Sequence, residues 1–111
     1  MRNGMPALAI ALALAGCAAP ERGIDPVVAA EAGARIARGE AVVARWCADC
    51  HAIAVDTADA PSFRTIAQRP GRDGAHLAVF LREDHFPMTT FRLFDHERDD
   101  VAAFIVSLAP R

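Results

Sequence analysis

Cys47-Ala48-Asp49-Cys50-His51 is the stretch that decides how the rest of this chain is read. The spacing sets two thiols a helical turn apart and a histidine directly after the second. In that arrangement the thiols add across the two vinyl groups of a haem and the imidazole lies under its iron. With three Cys and four His in 111 positions, chance gives such a pentapeptide in roughly three sequences per thousand. A thioredoxin-like dithiol would need a strand before it and a βαβ context. A structural zinc site would need a second ligand pair nearby, and Cys17 is about thirty residues away. The motif therefore predicts one covalently bound haem c, held by Cys47 and Cys50 with His51 as an iron ligand.

Outward from the motif, apolar periodicity is helical and no segment alternates as a half-buried strand would. Ile36, Gly39, Val43, Trp46 with Cys47, and Cys50 recur at three- and four-residue steps. They predict an amphipathic helix over 34–49 with both cysteines on its buried side. A second helix opens at Asp73 as N-cap and puts Leu77, Phe80 and Leu81 on one face before Asp84. In a third, Asp95, Glu97, Asp99 and Asp100 suit a helix N-terminus. Val101, Phe104, Ile105 and Leu108 then form one apolar stripe, which Pro110 ends. A loop from about 54 to 71 carries a short helix at 63–68, and Phe86-Pro87-Met88-Thr89-Thr90-Phe91 joins the second and third helices. The expected fold is all-α: three main helices plus short helical turns wrapped around one haem.

The N-terminus reads as an address. Arg2 is followed by an apolar run from Pro6 to Ala15, too short to span a bilayer. Leu14-Ala15-Gly16-Cys17 resembles the lipobox of bacterial lipoproteins. The resemblance implies a signal over 1–16 and an acylated Cys17; the breaker-rich stretch that follows reads as a flexible linker over 17–33, with helix allowed at its tail, ahead of a haem-binding domain over 34–111. Two or more acyl chains anchor stably where one is marginal. The alternative is ordinary cleavage after Ala13-Leu14-Ala15, leaving a soluble protein with a free Cys17. Either route exports the chain to an oxidising compartment. The expected location is the periplasmic side of a bacterial membrane.

Composition limits what else the chain can be. A net charge of −2 with no basic stretch argues against nucleic-acid binding. Apolar residues make up 53% but there is no Tyr, so a small core gains from a buried porphyrin. All twelve basic residues are Arg. Glu83-Asp84 and Asp99-Asp100 are read as solvated or helix-terminal charge. No Ser-His-Asp order, phosphate loop or metal-carboxylate cluster is present.

A low-spin carrier needs a second axial ligand, and Met88 is the candidate: Met1 and Met5 both fall in the signal. A thioether favours the ferrous iron, so a positive potential is expected. His85 is the rival ligand, with His76 and His96 behind it. From Gly39 to Leu108 the chain resembles a bacterial class I cytochrome c. Gly39, eight residues before Cys47, matches the family's close-packing helix glycine, and Phe104 the aromatic that packs against it. Arg98-Asp99-Asp100-Val101-Ala102-Ala103-Phe104 is similar to the final-helix pattern. Pro61 matches the proline whose carbonyl accepts the proximal histidine's other N–H. Phe86-Pro87-Met88 resembles the axial-Met loop, with Thr89 where the family often has Pro. The family's Trp near the haem propionates has no counterpart, and Arg64, Arg69 and Arg72 are the nearby cations. Phe63, Phe80, Leu81, Phe91 and Phe94 are expected to wall the haem or core.

The resemblance implies single-electron transfer by a monomer that meets donor and acceptor proteins transiently and catalyses no bond making of its own. A haem with an open sixth position would instead do peroxide or gas chemistry, and a non-haem dithiol lipoprotein would be colourless.

Overall fold

The computed structural model describes Gly16, residues 23–83 and residues 92–111. The expectations for Cys17, the signal segment, Asp84, His85, Met88 and Phe91 fall outside those residues. Four helices follow in order: α1 Pro26–Trp46, α2 Phe63–Gln68, α3 Gly74–Phe80 and α4 Asp95–Ser107. No strand occurs among the described residues, in agreement with the all-α reading. None of their helices is long and apolar enough to cross a membrane.

Helix α1 starts eight residues before the expected position 34. Asp25 and Pro26 are the reason: the Asp25 carboxylate accepts from the Val27 N–H at 2.8 Å, and Pro26 fills the first helical position, where no amide bond is lost. Residues 26–33 are all exposed, so no apolar stripe announces them. The helix ends at Trp46 rather than 49. A further hydrogen-bonded turn carries Cys47 to His51, with the His51 N–H donating to the Cys47 carbonyl at 2.9 Å. Gly39, Val43 and Cys47 are buried at steps of four. Trp46 lies off that stripe and is 44% exposed, against the expectation that it shares the buried face.

The other caps follow the sequence closely. Ser62 caps α2 by accepting from the Thr65 N–H, and Asp73 caps α3 by accepting from the His76 N–H. Helix α4 is capped one residue earlier than the acidic run suggests. Phe94 is the N-cap, and its N–H donates to the Glu97 carboxylate at 2.9 Å.

Helices α1 and α4 cross where Gly39 sits. A Cβ on Gly39 would lie 2.0 Å from the Asp100 carbonyl oxygen and 2.9 Å from the Phe104 Cβ, so only glycine allows this approach. Asp100 itself is buried, and its carboxylate accepts from the Arg38 Nε at 2.8 Å, with Arg35 at 3.6 Å. Asp100 is thus a staple between the helices, not the solvated charge expected of it. Val43, Phe63, Leu77, Val101, Phe104 and Ile105 form the core at the crossing. Each such side chain, fully buried, contributes roughly 1.5–3 kcal/mol. Phe94, expected in that wall, is 72% exposed and stacks instead on His96.

Candidate functional site

The end of α1 delivers Cys47 and Cys50 to the core side, and the loop that follows returns to lay Pro61 against His51. Cys47 is buried and Cys50 half-buried. Before a thioether forms, burial pushes the Cys47 thiol up to about 11, which keeps it protonated at neutral pH. The His51 ring is held from two sides. Its Nδ1 lies 2.7 Å from the Pro61 carbonyl oxygen, and its ring centroid is 5.1 Å from that of Phe63. A carbonyl can only accept, so Nδ1 is the donating nitrogen, and in the neutral ring Nε2 is the one with a lone pair to offer. Phe63 in turn meets Phe104 edge to face at 6.3 Å. Through Phe104, the glycine crossing of α1 and α4 supports the position of the imidazole.

These residues share one cavity of about 360 Å³, within the range of small-ligand and cofactor sites. Cys47, Cys50, His51 and Pro61 line it on one side; Phe63, Ile66, Leu77, Phe80, Leu81, Val101 and Ile105 supply an apolar lining. Asp59, Arg69 and Arg72 are its charged members. Among the described residues no group of three or more His, Cys, Asp or Glu side chains converges on a metal ion. The lining fits a flat apolar macrocycle that brings its own metal: two thiols and a free imidazole nitrogen beside a mostly hydrocarbon wall, with two guanidiniums for carboxylate groups.

The structure brings together four of the six predicted site residues, Cys47, Cys50, His51 and Pro61. Met88 and Cys17 lie outside the described residues. Among the cations suggested for propionates, Arg69 and Arg72 line the cavity and Arg64 does not. Two rival ligands are engaged elsewhere. His76 Nε2 accepts from Arg72 and its ring stacks on Phe80; His96 stacks on exposed Phe94. Neither lines the cavity. Sequence reasoning passed over Asp56 and Thr57, whose side chains bond the backbone on either side of Pro61. An Asp-Thr dipeptide five residues before a Ser N-cap was the signal available, since both types readily bond nearby backbone.

Residues 36–109 match the family model for cytochrome c. The chain is also similar to cytochrome c-552 of Bradyrhizobium diazoefficiens, 42% identical over 87 residues that cover 75% of this chain and 80% of that protein. No solved structure matches. The family match covers the helices that build the cavity and the thiol pair that lines it, so the chain belongs to the cytochrome c family, with covalently bound haem c as its cofactor and electron transfer as its work.

Proposed function

We propose that this protein is a membrane-tethered mono-haem electron carrier with His51 and Met88 as axial ligands. The observation that carries the reading is the 2.7 Å contact between His51 Nδ1 and the Pro61 carbonyl, in a cavity that Cys47 and Cys50 also line. That bond fixes the tautomer, leaves Nε2 free for iron and raises its basicity. The bound haem supplies a one-electron iron couple. Cys47 and Cys50 form the thioethers, and Phe63, Leu77, Val101 and Ile105 keep water from the buried side. Arg69 and Arg72 are the cations within reach of the haem carboxylates. Met88 is supported by its place in the connection between α3 and α4 and by being the sole Met beyond position 5.

Cys17 is the anchor in this reading, on the periplasmic side of a bacterial membrane, and the protein works as a monomer that meets redox partners transiently. It forms and breaks no bonds of its own. Optical spectra of the exported protein test the ligand pair. The oxidised wild type is expected to be low-spin with a Met-to-iron charge-transfer band, and Met88→Ala to lose that band. An oxidised wild type that is high-spin and indifferent to the substitution would instead identify an open sixth position and peroxide or gas chemistry.

A further inference from the structure

Pro61 has no N–H, so nothing can hold it through its own amide, and its carbonyl is already given to His51. Its position must come from its neighbours. Thr57 Oγ1 lies 2.8 Å from the Cys50 carbonyl oxygen and 3.2 Å from the Ala60 nitrogen. A hydroxyl has one proton, so it donates to Cys50 and accepts from the Ala60 N–H. The Thr57 N–H also donates to the Ala60 carbonyl at 3.0 Å. On the other side of Pro61, the Ser62 N–H donates to Asp56 Oδ1 at 2.7 Å. Two consecutive side chains thus grip the residues before and after Pro61, and one of them also grips the residue before His51.

We propose that Asp56 and Thr57 are positioning residues that set the hydrogen bond from His51 to Pro61 and, through it, the reduction potential. The inference rests on His51 being the iron ligand. A well-aligned bond from Nδ1–H makes the imidazole a stronger donor and favours ferric iron. Loosening either grip lengthens that bond and raises the midpoint potential. The Phe63 and Arg64 N–H groups donate to the Ala52 and Ile53 carbonyls at 3.0 Å each. These bonds keep the α2 register when the side-chain grips are removed, so the broken variants still fold.

The test uses haem-loaded protein. Thr57→Val and Asp56→Ala break the grips; Thr57→Ser and Asp56→Asn retain an acceptor or donor of the same kind at the same place. Arg38→Ala loosens the α1–α4 staple without touching the cavity lining and serves as the stability control. The broken variants are expected to show a raised midpoint potential. Solvent exchange of the His51 Nδ1 proton, read by NMR on the reduced protein, should be about tenfold faster, the equivalent of one net hydrogen bond. The conservative pair should restore both values, and the control should lower the melting temperature alone. If the broken variants melt lower yet keep the wild-type potential and exchange rate, Asp56 and Thr57 only close a loop and the proposal is overturned. A His51→Ala protein that keeps the wild-type low-spin spectrum would remove the ligand reading itself, a result distinct from failure of the grips.

Discussion

At the scale of single residues, one of the acceptors that hold the haem-side loop is a carboxylate that acid can switch off. The Asp56 carboxyl lies below the usual carboxylate range, chiefly because it accepts the Ser62 N–H, with Thr65 and the Ser62 hydroxyl adding to this. Its folded value is lower than its unfolded one. The stability it contributes is therefore complete above the unfolded value of about 3.9 and is lost as pH falls through the folded value. Melting temperatures of the haem-loaded protein should fall with acid below about pH 4. In Asp56→Ala that part of the fall should be missing, because the wild type's extra stability is already gone at neutral pH. Curves that run parallel through the acid range would show that Asp56 does not titrate with folding.

At the scale of elements, the decisive contact is the α1–α4 crossing. Gly39→Ala places a methyl against backbone, which cannot swing aside as a side-chain tip would, so the two helices must part. The expected cost is about 1–3 kcal/mol, read as a fall in the denaturant midpoint of the haem-loaded protein; Gly33→Ala, in the same helix with open space at the same atom, should instead gain up to about 1 kcal/mol of helix propensity. A Gly39→Ala protein as stable as wild type would mean the crossing can be remade. This crossing was legible through Gly39 and Phe104 by resemblance to the family, whereas the short helix α2 and the Asp73 cap were legible because each rests on local pattern. Asp100 was not. Its partner Arg38 lies 62 residues away, and an aspartate in the first turns of a helix looks solvated until the other helix is in place. Trp46 and Phe94 were misjudged for the opposite reason: a large apolar residue suggests burial, but Trp46 lies beside the buried stripe and Phe94 outside the cavity. The early start of α1 was written in Asp25-Pro26, a capping signal that periodicity does not detect. The role of Pro61 was legible only through family resemblance, while its supports, Asp56 and Thr57, needed the fold of the loop.

At the scale of the whole molecule, apolar lining from all four helices or their flanks converges on one cavity, so a chain this small folds around its cofactor rather than beside it. The proposed anchor concerns the other end. Cys17→Ser should move the protein from the membrane fraction to the soluble one with an unchanged haem spectrum, and a variant that stays with the membrane would mean that something other than an acylated Cys17 holds it there. Helix α1 changes the mechanics of such a tether. Fully extended, residues 18–33 would span about 56 Å; with 26–33 helical, that part is a rod of roughly 12 Å and the eight residues before it add at most about 28 Å. The radius that the carrier can sweep from the proposed anchor contracts to about 40 Å, which cuts the volume in which it searches for partners to roughly a third. By the same arithmetic its effective concentration there rises nearly threefold, a gain set by two residues, Asp25 and Pro26, that do not line the cavity.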